Sequence, residues 1–196
     1  MKTADSALKA LCDPAREVSA HYLISRTGTV YQLVEEDKRA WHAGAGEWAG
    51  ITDVNSHSIG IELDNTGFEP FSEPLMCALE DLLEDVMDRH AIPPHRVIGH
   101  SDMAPGRKID PGPRFDWRRL ALKNLSVWPE DVGRGDRYDR RFIAPLCDFG
   151  YPDHVTLEAF RARFRPWAKG DMDMTDVLLA MDLAHRFGVD QWKPTA

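Results

Sequence analysis

Between residues 73 and 90 the apolar side chains of Leu75, Met76, Leu79, Leu82, Leu83, Val86 and Met87 recur three and four positions apart. That spacing lines one face of an α-helix; Ser72 and Pro74 supply start signals, and Pro93-Pro94 stops it. Upstream the period shortens. Residues 21–34, HYLISRTGTVYQLV, read as a hairpin of two β-rich runs, 22–24 and 29–34, joined across Arg26-Thr27-Gly28. SIGIEL, residues 58–63, is nearly continuous in Ile and Leu and predicts a short strand in the sheet interior. RVIGH, residues 96–100, predicts another brief strand, and helices are expected at 117–123, 156–164 and 175–187. Strands interleaved with helices give an α/β fold, a mixed central β-sheet flanked by helices.

The pattern also divides the chain. WPEDVGRGDRYDRR is polar and Gly-containing, which marks residues 129–138 as a linker between a main domain, 1–128, and a small all-α unit, 139–196. A unit of roughly fifty residues is below the size at which a core is comfortably stable alone, so it is expected to dock on the main domain.

Charge and composition remove several function classes. With 32 acidic against 24 basic residues the net charge is -8, which excludes a general nucleic-acid binder, since that task needs a basic face. Cys12, Cys77 and Cys147 are far apart and form no Cys-x-x-Cys pair, so neither a disulfide framework nor a thiolate zinc cluster is indicated; reduced, buried thiols are expected. No apolar run reaches the ~18 residues of a membrane span. MKTADSALKALCDPAREVSA lacks the apolar segment of a signal peptide, so the cytoplasm is the expected location. A signal upstream of Met1 would place the protein in the periplasm or cell envelope instead.

Candidate chemistry concentrates in GHSDMAPGRKIDPGPRFDW, residues 99–117. Neither helix nor regular strand tolerates so much Pro and Gly, so a fixed irregular loop is expected. His100 and Asp110 are of types that ligate zinc, and catalytic zinc commonly takes three protein ligands with water in the fourth place. Lys108, two residues before Asp110, is either a solvated surface lysine or an oxyanion stabiliser. Glu62, in the SIGIEL run, read alone, is a strand-end carboxylate with a salt-bridge partner or a catalytic group.

HSDMAPGRKIDPGPRFDW resembles the signature of the zinc N-acetylmuramoyl-L-alanine amidases of the AmpD and AmiD type, a superfamily that also includes a phage lysozyme and the peptidoglycan recognition proteins. The resemblance continues, in order, through VSAHYLI, GTVYQLV, RAWHAG and NSHSIGIEL, and covers about residues 3–128. It implies cleavage of the amide between the lactyl group of N-acetylmuramic acid and the L-alanine of the stem peptide, with peptidoglycan fragments or muropeptides as partners and Zn2+ as cofactor. His100 and Asp110 match two zinc ligands. Glu62 matches the proposed general base, and Lys108 the residue that stabilises the tetrahedral intermediate. His42 matches a family histidine near the cleft, with a buried hydrogen-bonded imidazole as the alternative. Asn55 lines the substrate groove or serves a turn, and Arg107 meets a stem-peptide carboxylate or forms a structural bridge. His57, His90, His95, His154 and His185 are expected on the surface. The tail resembles a helical peptidoglycan-binding-like module, although Phe149, Tyr151, Phe160, Phe164 and Trp167 read as core rather than as a sugar platform.

The resemblance also implies a third zinc ligand, a His in a His-Tyr-Thr-like segment ending a first strand just before the helix matching residues 6–11. The chain begins at Met1, past that point, so Met1 is expected to correspond to an internal Met of a longer protein. His21 is the nearest substitute, but relatives carry a His there beside a complete ligand set. With two ligands the chain is expected to bind zinc weakly and cleave slowly or not at all. The rival expectation is a non-catalytic peptidoglycan- or muropeptide-binding module lacking a complete metal site.

Overall fold

β1 (Tyr22–Ile24) is the middle of a three-stranded sheet, flanked by β2 (Val30–Gln32) and β3 (Ile61–Leu63) in the order β2-β1-β3. The computed structural model describes residues 3–130 and 142–189. β1 and β2 form the expected antiparallel hairpin with Leu23 opposite Tyr31, while β3 runs parallel to β1 with Glu62 opposite Leu23. Side chains alternate across a pleated strand, so this register decides what each face carries. Ile24, Ile61 and Leu63 pack into one apolar cluster with α2 (Glu73–His90) and α4 (Trp117–Leu122). Leu23 packs on the other face with Ala4, Ala7 and Leu11 of α1 (Ala4–Leu11). That cluster covers β1 and reaches Tyr31 of β2, leaving the same face of β3, where Glu62 lies, outside it.

α2 forms as its apolar spacing predicts. Leu75, Met76, Leu79, Leu83, Val86 and Met87 are buried, each stabilising the fold by roughly 1.5–3 kcal/mol. Its polar side is tied to α4 by Arg119, which donates to both Glu73 and buried Glu80, and by Lys123, which reaches Glu80 at 2.9 Å. Two strand expectations are corrected. The 58–63 run lies at an edge of the sheet among the described residues rather than inside it, and only Ile61–Leu63 are strand. Gly60 leaves the ladder because its C=O accepts the N–H groups of His21 and Tyr22, at 3.0 and 3.1 Å, and its N–H donates to the His21 ring. Residues 97–99 are not a strand, since the Val97 C=O accepts from Arg163 at 3.0 Å instead of a neighbouring backbone.

The C-terminal helices are α5 (Ile143–Phe149), α6 (Leu157–Phe164) and α7 (Met174–Phe187), of which α5 was not legible as a helix. They dock as expected. Phe149, Phe160, Phe164, Val177 and Leu183 share one apolar cluster with Ala43, Trp48, Val54 and Met103. Trp48 meets Phe149 and Tyr151 edge-on at 5.6 and 5.2 Å. The expected linker, beyond residue 130, lies outside the described residues. The three cysteines are free, but Cys12 and Cys77 are exposed rather than buried, Cys12 capping the end of α1 and Cys77 lying beside Glu73 on α2. No helix among the described residues is long and apolar enough to cross a membrane.

One polar hub fastens the segment after β2 to the end of α2. Glu36 accepts from Tyr22 at 2.5 Å, from Arg89 at 2.7 Å and from His90 at 2.7 Å. The Arg89 hydrogen bond, against the cost of burial and with help from Tyr22 and His90, holds the Glu36 carboxyl down at about 2. An unfolded Glu titrates near 4.3, so this stabilisation is present above that pH and lost as pH falls towards 2. Urea denaturation of Glu36→Gln at a series of pH values is expected to show a variant less stable than the parent at pH 6, with the difference closing between about pH 4.5 and 2.

Candidate active site

His100 opens the single-turn helix α3 (His100–Met103), and Gly99 before it must be small, because a side chain there would run into Pro111 and Trp117. The Ser101 N–H donates to the Asp110 C=O at 2.9 Å, folding the loop back on itself. The Asp110 carboxylate thereby meets Nδ1 of His100 in a hydrogen bond. The turn between them is closed by the N–H groups of Arg107 and Lys108, which both donate to the Ala104 C=O, at 3.1 and 2.9 Å. Across the site, Gly67 after β3 packs directly against Gly112 after Asp110, an approach open only to residues without side chains. Both have positive φ, 81° and 89°, another reason for glycine. This contact draws the strand bearing Glu62 to the loop bearing His100 and Asp110.

The electrostatics record the convergence. Burial opposes a charged His100, but its hydrogen bond to Asp110 and the negative charges of Asp110 and Glu62 outweigh burial and raise its pKa, with Lys108 acting against them. For Asp110 burial acts upward and the His100 hydrogen bond outweighs it, so its pKa is lowered, with Lys108 contributing. Glu62 and Lys108 therefore both act on the His100–Asp110 pair. Among the described residues Glu62 has no salt-bridge partner, and its charge acts on His100.

Beside the pair lies a cleft of about 400 Å³ lined by Glu17, Val18, Arg39, Trp41, His42, Ala43, Gly44, Asn55, Arg107 and Lys108. His42 is packed on Gly60, where any Cβ would overlap its ring, and sits edge-on to His21 at 5.7 Å. Burial first, then the neighbouring charges of His21 and His100, push its pKa down to about 4. Its Nε2 is buried without a hydrogen-bond partner among the described residues. Asn55 both lines the cleft and shapes it, since its Oδ1 accepts the N–H groups of His42 and Ala43 at 3.0 and 2.9 Å. Arg107 likewise holds the cleft wall: its guanidinium donates to the C=O groups of Ala43, at 2.9 Å, and Ala45.

His21 is a structural staple. Its Nδ1 accepts the Gly60 N–H at 2.9 Å, which leaves Nε2 as the donor to the Lys38 C=O at 3.0 Å. Both ring nitrogens thus have backbone partners and the ring is buried. His95, expected on the surface, is half-buried, with burial lowering its pKa.

Sequence reasoning missed several contributors. Glu17, Val18, Arg39 and Trp41 line the cleft, and Trp41 was hidden in plain sight in the RAWHAG run. It also missed Asp102, fully buried, which accepts from the Gly99 N–H at 2.8 Å, the Tyr151 hydroxyl at 2.6 Å and Arg163 at 2.7 Å. The available signal was Arg163 itself, a charge set among Phe160 and Phe164 on the apolar face of its helix. Phe149, Tyr151, Phe160 and Phe164 are core, and Trp167 is exposed.

As a metal centre, the donor set fits zinc in part. One imidazole and one carboxylate face each other closely, as two ligands of a single cation would. Among the described residues no group of three His, Cys, Asp or Glu stands together to complete the set.

Comparison with known proteins gives the family and the fold. Residues 1–113 match the family described as N-acetylmuramoyl-L-alanine amidase. The chain is 35% identical over 223 residues to N-acetylmuramoyl-L-alanine amidase AmiD of Escherichia coli, covering 95% of this chain and 80% of that protein. It is 43% identical over 105 residues to 1,6-anhydro-N-acetylmuramyl-L-alanine amidase AmpD of the same organism, covering 54% of this chain and 57% of AmpD. Among solved structures, E. coli AmiD in complex with anhydro-N-acetylmuramic acid-L-Ala-D-gamma-Glu-L-Lys superposes with a TM-score of 0.83 at 33% identity, covering 94% of this chain and 85% of that one. AmpDh3 of Pseudomonas aeruginosa in complex with an anhydromuramic pentapeptide gives a TM-score of 0.83 at 28% identity, covering 95% and 88%.

The packing of His42 on Gly60 predicts that Gly60→Ala forces the imidazole out of place. Chemical denaturation is expected to show a loss of about 1–3 kcal/mol, the usual cost of overpacking, and the His42 imidazole resonances are expected to shift.

Proposed function

The chain belongs to the N-acetylmuramoyl-L-alanine amidase family, and from that premise we propose that it hydrolyses the amide joining the lactyl group of N-acetylmuramic acid to L-alanine in muropeptides or peptidoglycan. What supports the proposal is the hydrogen-bonded His100–Asp110 pair in the loop whose Arg107 and Lys108 line an open cleft, with the Glu62 charge acting on His100. An amide is a weak electrophile, and its nitrogen leaves only if protonated. Glu62, on the uncovered face of β3, takes a proton from the attacking water and delivers it to the departing L-alanine nitrogen. Lys108 faces the negative charge that grows on the carbonyl oxygen. His100 and Asp110 would hold zinc, which, when bound, polarises the carbonyl and makes water a nucleophile at neutral pH.

Residues on the cleft wall orient the substrate. His42 remains neutral above about pH 4 and forms part of the cleft wall. Asn55 and Arg107 act chiefly by fixing the backbone around residues 42–45, and their remaining polar atoms border the cleft. Trp41, 46% exposed, offers an apolar surface for a sugar or peptide face.

The test is release of the stem peptide from an N-acetylmuramyl peptide, followed by mass spectrometry across a range of added zinc. Because two donors hold the ion loosely, the rate is expected to rise with zinc and to vanish with a chelator. Glu62→Gln is expected to lower kcat by about 10²–10⁴-fold, the usual worth of a positioned general base, with folding intact. Lys108→Met is expected to reduce kcat by about 10²–10³-fold, as for loss of an oxyanion partner. Cleavage unaffected by Glu62→Gln, or binding of the peptide without cleavage at any zinc concentration, would reject the proposal, the second in favour of a binding module.

A further inference from the structure

We propose that the C-terminal helices act as a positioning element for the active site, through Tyr151 and Arg163 clamped on Asp102 in the turn that carries His100. This deepens the amidase reading and rests on it for the role of His100, though the clamp itself is a feature of the structure alone. Asp102 is two residues from His100 in a helix of a single turn, too short to hold its own shape through its own backbone bonds, such as that from the Ala104 N–H to the His100 C=O. Its rigidity comes from outside. The buried Asp102 carboxylate accepts the Gly99 N–H, which sets where the turn begins, and its other partners are the Tyr151 hydroxyl and the Arg163 guanidinium.

Both partners are themselves fixed. Tyr151 is buried against Trp48, and burial together with the Asp102 charge pushes its phenol pKa well up, so it remains a donor. Arg163 is 1% exposed, lies over the Trp117 ring at 4.2 Å and also donates to the Val97 C=O and the Ser126 hydroxyl. One guanidinium thus spans the segment entering His100, the turn itself and the segment leaving α4. None of these groups borders the cleft, so they are positioning residues that reach the chemistry through the placement of His100. The aromatic side chains that would make this unit a sugar platform are largely spent inside the shared core, which is consistent with a role directed inward.

The experiment compares Tyr151→Phe, Arg163→Met and Arg163→Lys with Asp176→Asn. The last breaks the buried Arg161 and Arg165 pairs within the same helical unit without touching α3. Two readouts are taken, steady-state kinetics with zinc and native-state hydrogen exchange at Gly99, Ser101, Asp102 and Ala104. Tyr151→Phe and Arg163→Met are expected to lower kcat by about tenfold or more with KM within about twofold, since misplacement of a reacting group far exceeds its effect on binding. They are expected to speed exchange at those four amides by about tenfold while leaving the α2 amides unchanged, and Arg163→Lys is expected to recover part of both losses. Asp176→Asn is expected to lower the Tm yet change neither readout by more than about twofold.

The proposal is overturned if Asp176→Asn, at equal loss of Tm, loosens the turn and lowers kcat as Tyr151→Phe does. It is also overturned if Tyr151→Phe leaves both readouts unaltered. Should Arg163→Met fail to fold, Tyr151→Phe, which deletes one oxygen, still decides the question. If the unsubstituted chain cleaves no muramyl peptide, the proposed function fails while the exchange measurement separately decides the clamp.

Discussion

A carboxylate shut away from water governs the geometry of this protein. Asp102 is fully buried, and its three donors come from separate places: Gly99 in its own turn, Tyr151 after α5 and Arg163 in α6. A buried charge stripped of its partner costs about 3–5 kcal/mol, a large fraction of the stability of a domain this size. The donors must therefore arrive together. The consequence is a chain whose C-terminal helices and whose 99–110 loop reach their final shapes jointly, around one apolar cluster that also holds Trp48 and Met103.

With that turn fixed, the rest of the site follows from close approaches that only glycine allows. Gly99 admits Pro111 and Trp117, Gly60 admits the His42 ring, and Gly67 meets Gly112 across the gap between β3 and the Asp110 loop. Each approach removes a degree of freedom from a chemically useful neighbour. What results is a small set of groups with opposed electrostatics. The His100 imidazole and the Asp110 carboxylate are hydrogen-bonded, and the charges of Glu62 and Lys108 act on His100 in opposite senses. Around them sit imidazoles put to different uses. His21 has both nitrogens occupied by backbone, whereas the His42 pKa is pushed down to about 4 and its Nε2 has no partner among the described residues.

How much of this the sequence discloses depends on whether the information is local. α2 was legible because seven apolar residues repeat at helical spacing, and the β1–β2 hairpin because its turn chemistry is contiguous. The Pro- and Gly-rich segment was legible as irregular from residue 104 to 116, but the helical turn at His100–Met103, fixed by buried contacts, was not expected, and resemblance attached roles to His100, Lys108, Asp110 and Glu62. The interior position expected for the 58–63 run was not realised among the described residues, because an apolar strand reads alike at an edge and in the middle, and the Gly60 N–H is taken by the ring of His21, just before β1. The brief strand expected at 96–100 failed for a similar reason: a guanidinium 66 residues away takes the Val97 carbonyl. Asp102 was passed over since its partners lie 49 and 61 residues downstream. No window of sequence contains that interaction.

The central claim is that one imidazole and one carboxylate, brought together by this buried clamp, form a cation site faced by a second carboxylate. Anomalous diffraction at the zinc edge from crystals of the chain soaked in zinc tests it most directly. The account predicts a peak between Nδ1 of His100 and the Asp110 carboxylate, about 2.0–2.2 Å from each, with the Glu62 side chain turned towards it. A peak bound elsewhere while those two side chains point apart would contradict it.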